Sequence, residues 1–210
     1  MKRSLLLTLL TVLAALAGLS VVLADGPVEG RAGRAEMRFL EGMASHHMMA
    51  IDMANDCLAK ATTESMLTLC QNVIDAQSPE IVLMQGWLLD WYNISYTPVS
   101  MLPTEEGAMD GMEGMDHGDH AMEGMPATDS AMTMGMFAGF SRLEGIEYEI
   151  AWLESMQWHH DDAIHMSERI LAQVPEGVGH DELRDLAQKI ITDQSAEIET
   201  MEAMITELAG

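Results

Sequence analysis

The chain has 210 residues, of which 34 are acidic and 10 are basic, and its formal net charge is −24 at pH 7. This charge repels phosphates, which argues against nucleic acid as a partner, and it favours cationic partners, solubility or a saline habitat. Methionine accounts for 21 residues, whereas aromatic side chains make up only 5%. Because methionine is flexible and specifies packing poorly, so many methionines need an explanation beyond core filling.

The first segment has the features of an export signal. Lys2 and Arg3 precede an apolar stretch over residues 5–23, which ends in a small-residue cleavage pattern at Ala24. These features predict a signal peptide over residues 1–24 and a mature protein in the periplasm or outside the cell. If it is not cleaved, the stretch is just long enough to anchor the chain in a membrane. We expect removal, after which no membrane contact is predicted.

The remainder of the chain contains an internal duplication. Residues 39–61 match residues 152–174 at a constant offset of 113, with ten identities in 23 positions. A second block repeats residues 69–88 as residues 186–205, at an offset of 117. The change of offset places a four-residue insertion in the turn of the second copy. Each copy is therefore predicted to be a helix, a turn and a helix.

Apolar residues in both copies recur at intervals of three and four, which is typical of helices that bury one face. We predict helices over residues 35–60, 64–92, 141–173 and 180–208. The hairpins 35–92 and 141–208 are expected to pack as one domain, an all-α antiparallel four-helix bundle. Pro79 lies inside the second predicted helix, where it predicts a kink or a break.

Two cysteines, Cys57 and Cys70, flank the predicted turn of the first hairpin. In an oxidising compartment they are placed to form a disulfide across that hairpin. The alternative is that they are two small buried residues.

Residues 93–140, between the copies, are rich in Met, Asp, Glu, Gly and His and are predicted to form a long, disordered crossover linker. Its thioethers recur as Met-x-x-Met and Met-x-Met, spacings that let soft sulfur atoms converge on one ion without a preformed fold. Soft donors favour Cu(I) and Ag(I), while the histidines add a locus for Cu(II) or zinc. The predicted ligands of the linker are Met109, Met112, Met115, His117, His120, Met122, Met125, Met132, Met134 and Met136.

Each copy also carries an adjacent histidine pair among methionines. Neighbouring residues on a helix point about 100° apart, so we expect one histidine of each pair to face the bundle interior and the other to lie at a boundary. The predicted helical ligands are Met43, His46, His47, Met49, Met53, Met156, His159, His160, His165 and Met166.

The partner helices place polar side chains on one face, and these are predicted to support the histidines: Gln77, Glu80, Gln194 and Glu197. The alternative is a hydrogen-bonded polar layer of the same residues that fixes the bundle register and holds no ion.

These motifs resemble a known family. The segments FLEGMASHHMMAIDMA and WLESMQWHHDDAIHMS, each followed by a Gln-Ser-x-Glu-Ile-x-x-Met block, are similar to the duplicated, exported family called domain of unknown function 305. The resemblance implies a ferritin-like four-helix bundle and, for some members, periplasmic copper binding through Met and His. The linker methionines are not part of the family pattern.

The leading hypothesis is therefore a copper-binding protein without enzymatic activity, which sequesters Cu(I) or passes it to another copper-handling protein. One alternative is a structural or interaction bundle of the cell envelope. Another is a ferritin-like metalloenzyme. The enzyme is disfavoured because Glu41 and Glu154 lie five residues before His46 and His159, out of phase for a shared metal. The sequence leaves the oligomeric state open.

Overall fold

The computed structural model describes residues 26–100 and 139–210. These residues form four helices and no strand: α1 Gly30–Lys60, α2 Glu64–Tyr92, α3 Gly145–Gln173 and α4 Asp181–Ala209. The prediction of an all-α bundle built from two helical hairpins is confirmed. The predicted signal peptide and the methionine-rich part of the linker lie outside the described residues and stay predictions.

The helix bounds agree with the predicted ones to within one residue except at two starts. Helix α1 begins at Gly30, earlier than the predicted residue 35, and α3 begins at Gly145, later than the predicted residue 141. Of the kink or break expected at Pro79, the break is wrong, since α2 continues through this residue, and the kink stays a prediction. Proline removes one backbone donor, but Ile81, Met84 and Leu88 beyond it are all buried. Burial of this face stabilises a continuous helix by more than Pro79 destabilises it.

The two hairpins pack through α1 and α3. Contacts join α1 to α2, α3 to α4, and α1 to α3. Helices α1 and α3 run antiparallel, because Trp152 Nε1 donates to the Met53 carbonyl at 2.8 Å while the rings of His46 and His159 meet further along. Since His46 and His159 are equivalent positions of the two copies, an approximate twofold axis passes between them.

This axis exchanges two apolar clusters that occupy opposite ends of the bundle. One cluster contains Leu40, Met43 and Met84, and the other contains their counterparts Leu153, Met156 and Met201. All six side chains are fully buried. Burial of apolar surface in both clusters is the main stabilising term of the fold.

The first hairpin carries two further restraints. Cys57 and Cys70 form a disulfide that joins α1 to α2, as one of the two sequence interpretations predicted. After α2, the chain returns along α1: Tyr96 hydrogen-bonds Ser45, and Ser100 Oγ donates to Asp52 at 2.7 Å. The first residues of the predicted linker, 93–100, therefore lie against the bundle.

Two buried glutamates hold the turns of the bundle from the opposite copy. Glu149 of α3 accepts hydrogen bonds from the backbone N–H and the hydroxyl groups of both Thr62 and Thr63, at 2.7 to 2.9 Å. Glu36 of α1 accepts from the backbone N–H of His180 at 2.8 Å and from its Nδ1 at 2.7 Å. Thr63 and His180 are the N-cap residues of α2 and α4, so each copy caps a helix of the other.

Gly179 permits one of these contacts. A Cβ atom at this position would collide with the carboxylate of Glu36, so a residue with a side chain would force Glu36 away from the start of α4.

Over residues 26–100 and 139–210, no helix combines the length and the apolar character that crossing a bilayer requires.

We predict that Glu149→Gln lowers the free energy of unfolding by about 2 kcal/mol at neutral pH, because a buried charged acceptor of several hydrogen bonds is lost. Burial by itself would raise the pKa of Glu149, but the hydrogen bonds from Thr62 and Thr63 outweigh burial and hold this pKa below its ordinary value. A depressed pKa stabilises the folded state above the ordinary glutamate value of about 4.3, and the effect is lost as pH falls through the folded-state pKa. Urea unfolding at several pH values should therefore show a difference that shrinks in acid.

Glu154→Gln is the matched control, because Glu154 lies on the same helix and is exposed. An equal loss of stability in both variants would contradict the capping role of Glu149.

Candidate metal centre

A polar layer separates the two apolar clusters at the middle of the bundle. It combines the histidine pairs of α1 and α3 with Gln and Glu from α2 and α4. Its members are His46, His47, Gln77, Glu80, His159, His160, Gln194 and Glu197. The histidines and glutamines are buried, whereas the side chains of Glu80 and Glu197 are 13% and 27% exposed and lie at the rim.

Both histidines of each pair are buried, which corrects the expectation that one would lie at a boundary. His46 and His47 are 1% and 0% exposed, and His159 and His160 are likewise 1% and 0% exposed. The reason is that α1 packs against two neighbours, α2 and α3. His46 faces α3 while His47 faces α2, so directions about 100° apart both point into protein.

The outer histidine of each pair is held by a carboxylate. His47 Nε2 lies 2.7 Å from Glu80 Oε2, and His160 Nε2 lies 2.5 Å from Glu197 Oε2. Because a carboxylate accepts, each Nε2 carries the proton that is donated. In a neutral imidazole, a proton on Nε2 leaves the lone pair on Nδ1. Carboxylates orient metal-binding histidines in proteins by the same arrangement.

One of these carboxylates, Glu80, forms an ion pair with a lysine of the second copy. Lys189 Nζ donates to Glu80 at 2.9 Å. Burial raises the pKa of Glu80, but the hydrogen bond with His47 and the charge of Lys189 outweigh burial and leave the pKa below its ordinary value. Glu80 is therefore an ionised acceptor at neutral pH.

The inner histidines meet at the twofold axis. The rings of His46 and His159 lie 3.7 Å apart between centroids, and His159 Nε2 donates to the His46 carbonyl at 3.0 Å. Asp162 Oδ2 lies 3.4 Å from His46 Nε2. Burial lowers the pKa of His46 and lowers that of His159 well below its ordinary value, so both rings are neutral at neutral pH. Neutral imidazoles are the form that binds metals.

The layer also holds buried polar atoms that lack hydrogen-bond partners. Within residues 26–100 and 139–210, and apart from Ser167 Oγ, every such side-chain atom belongs to it: Nδ1 of His46, His47, His159 and His160, Nε2 of His46, both amide atoms of Gln77, and Oε1 of Gln194. Buried polar groups are nearly always satisfied, so a set of orphaned ring nitrogens in one place is the signature of a site completed by an ion or by water.

Sulfur atoms lie beside the nitrogen atoms of the layer. Among the described residues, no three His, Cys, Asp or Glu side chains converge as ligands of a metal. Thioethers border the layer instead, since Met43 and Met156 lie one turn before His47 and His160 and are fully buried. Imidazole nitrogen with thioether sulfur is a donor set for Cu(I) or Ag(I).

The other predicted helical ligands are distributed differently. Met49, Met53 and Met166 are buried in the apolar clusters. His165 lies outside the layer, because its side chain is 59% exposed and faces Asp161 and Glu168. The linker ligands predicted between Met109 and Met136 lie in the part of the chain that the structure does not describe.

Sequence reasoning missed two features of this region. Asp162 was not among the predicted ligands, although it lies one turn from His159. Glu36 and Glu149 were also missed, although they share the offset of 113 that relates the histidine pairs. Extending the comparison of the two copies by three residues would have found them.

Fold and site together define a class of protein: a duplicated helical bundle whose histidine pairs form a buried layer. The family described as domain of unknown function (DUF305) matches residues 36–205, and the chain belongs to this family. No curated protein matches the sequence.

Several solved structures share the fold. Copper(II)-bound CopM is 26% identical, with coverage of 82% of this chain and 96% of CopM and a TM-score of 0.57. A DUF305 protein from Streptomyces coelicolor is 19% identical, with coverage of 84% and 93% and a TM-score of 0.58. A DUF305 fragment from Deinococcus radiodurans is 21% identical, with coverage of 86% and 99% and a TM-score of 0.60.

We predict that metal-free His159 is neutral at about pH 6, below the ordinary histidine pKa of about 6.5, and carries its proton on Nε2. Burial disfavours the imidazolium, and the carbonyl of His46 requires a donor. Nitrogen-15 NMR of the imidazole side chains distinguishes the two tautomers and the charged form. A charged His159, or a proton on Nδ1, would contradict the assigned geometry.

Proposed function

We propose that this protein binds copper, chiefly as Cu(I), and either sequesters it or transfers it to another copper-handling protein. The observation that carries the proposal is the buried layer of four histidines, in each of which Nδ1 lacks a hydrogen-bond partner, with two buried methionines at its border. Such a layer offers nitrogen and sulfur donors in a buried site. Ag(I) is a soft ion like Cu(I) and suits the same donors. Cu(II) is harder and suits the carboxylates at the rim.

The structural relatives support this choice of metal. CopM has been crystallised bound to Cu(II), Cu(I) and silver, and in the apo form. Its helical fold is the fold of this chain. These structures support copper binding by this fold, and the preference for Cu(I) is our proposal for this chain.

We assign the linker methionines a capture role. Thioethers between Met109 and Met136 would form shallow, labile sites, from which an ion moves by stepwise ligand exchange to the histidine layer or to a partner protein. Because methionine has no proton to lose, such sites keep their donors in mild acid. Binding without catalysis is the role that these donors serve.

Export is part of the proposal. A disulfide between Cys57 and Cys70 is a feature of oxidising compartments, and the N-terminal segment has the pattern of a signal peptide. The periplasm or the cell exterior satisfies both observations.

One observation favours a second candidate, a structural bundle without a metal. The hydrogen bonds of His47 to Glu80 and of His160 to Glu197 join α1 to α2 and α3 to α4 without any ion. Water filling the remaining positions would complete a polar layer that fixes the helix register.

A competition titration separates the two candidates. Cu(I) is added under reductant, against a chromogenic chelator, to the mature protein, to a variant lacking residues 101–136, and to a variant with His46, His47, His159 and His160 changed to Gln. We expect the parent to take copper from the chelator and each variant to retain only part of this capacity. Circular dichroism checks that the variants stay helical.

His165→Ala is the matched control, because His165 is exposed and lies outside the layer. Equal copper uptake by the parent and both variants would reject the assigned sites. No uptake by the parent would favour the structural bundle.

A separate measurement tests export. We expect protein collected from the periplasm or the medium to begin at Asp25, to carry the disulfide, and to have the matching intact mass. Retention of residues 1–24 in a membrane fraction would show that the segment is an anchor.

A further inference from the structure

Residues 26–29, which precede α1, form a short arm that lies against the start of α4. Gly30, where the arm joins α1, has a φ of 74°, in the left-handed region that favours glycine. A Cβ atom at Gly33 would collide with the Val28 carbonyl, so a larger residue there would push the arm away from α1. Two glycines therefore permit this position of the arm.

Two hydrogen bonds hold the arm. The Val28 N–H donates to the hydroxyl group of Tyr92 on α2. The Gly26 carbonyl accepts from Nε2 of His180, the buried N-cap residue of α4, at 3.2 Å. The arm is thus attached to α2 and to α4.

The His180 ring has an acceptor at each of its nitrogens. Nδ1 donates to Glu36 Oε2 at 2.7 Å, and Nε2 faces the Gly26 carbonyl oxygen, which has no proton to donate. A neutral imidazole has one N–H, so it can satisfy one of these acceptors while it turns a lone pair toward the other. Both contacts together require the doubly protonated, positively charged ring.

The surroundings of the ring suit this charge. Glu36 is fully buried and also accepts from the His180 backbone N–H and from the Tyr92 hydroxyl, and three donors to one carboxylate favour its ionised form. The Trp91 ring lies parallel to the imidazole at 3.6 Å between centroids, so the face of an indole covers the cation. The charged or titratable groups around His180 are Glu36 from α1, Tyr92 from α2, and Asp181, Glu182 and Arg184 from the first turn of α4.

The first copy shows the same cap without a titratable partner. Thr63 is equivalent to His180 at the offset of 117, and it donates to Glu149, the equivalent of Glu36. Threonine does not titrate, so a glutamate can cap the second helix of a hairpin without any change of charge in the capped residue. The histidine therefore adds a property that capping alone does not require.

We propose that His180 is a proton-controlled latch for the arm: with both ring nitrogens protonated it holds residues 26–29 on α4, and on loss of one proton it releases them. The remaining proton stays on Nδ1, because the carboxylate of Glu36 is a stronger acceptor than a carbonyl. Nε2 then turns its lone pair toward the Gly26 oxygen, and the two repel. Protons thus favour the bound arm, and a rising pH releases it.

Release changes the surface at the start of α4. The arm residues Gly26 and Val28 line a cavity of about 360 Å³ together with Gly179, His180, Asp181 and Glu182. Departure of the arm removes one wall of this cavity. The latch needs no copper and is independent of the proposed function.

NMR of the mature protein tests the latch directly. Nitrogen-15 spectra of the His180 side chain should show protons on both nitrogens at about pH 5.5 and on Nδ1 alone at about pH 8.5. The backbone amide signals of Val28 and Glu29 should move between the same two pH values, with the same midpoint as the imidazole.

His180→Thr copies the cap of the first copy and removes the ring. We expect this variant to fold, with Val28 and Glu29 signals that resemble those of the released arm and show no transition between about pH 5 and 9. His165→Gln is the matched control, because His165 is an exposed histidine that faces Asp161 and Glu168. It should keep the transition of the parent.

A transition of the arm that persists in His180→Thr would overturn the proposal. So would a parent His180 whose number of protons does not change between about pH 5 and 9. Should His180→Thr fail to fold, the spectra of the parent decide, since Val28 and Glu29 signals with a midpoint different from that of His180 exclude the latch. Copper is absent from these measurements, so either result leaves the proposed function standing.

Discussion

The antiparallel packing of α1 on α3 is the constraint on which the rest of the structure depends. It brings equivalent residues of the two copies together at an approximate twofold axis, where the rings of His46 and His159 are in contact. Because each of these helices also packs on its own hairpin partner, the neighbouring histidines are buried as well. A buried layer of four imidazoles between two apolar clusters follows from this packing, and its unpaired ring nitrogens follow from the small number of polar groups that reach it.

Much of this architecture could be predicted from the sequence, because duplication and helical periodicity are local signals. The bounds of α2 were predicted to the residue, Glu64–Tyr92. The common spacing of both copies also predicted that polar residues of the partner helices, Glu80 among them, lie on one face where they can support the histidines. The burial of both histidines in a pair could not be predicted this way. It depends on how many neighbours a helix has, and that number is a property of the assembled bundle.

The role of Asp162 shows the same limit at the scale of one residue. Two adjacent aspartates in an acidic protein give no local sign that one reaches the layer and the other faces solvent. Only the crossing of α1 and α3 distinguishes them. Similarly, the likeness to CopM and to other DUF305 structures describes the shared helical frame.

The glutamate caps bear on how the duplicated chain arose and on how its two hairpins stay associated. Glu36 caps the start of α4, and Glu149 caps the start of α2, so in each hairpin the turn between the helices is held by a glutamate of the other hairpin. The chain is in this respect a covalently fused homodimer whose halves exchange anchoring groups. A half-length ancestor would have needed a second copy of itself to satisfy the same buried carboxylates, and a proteolytic cut in the crossover would leave the two fragments held together.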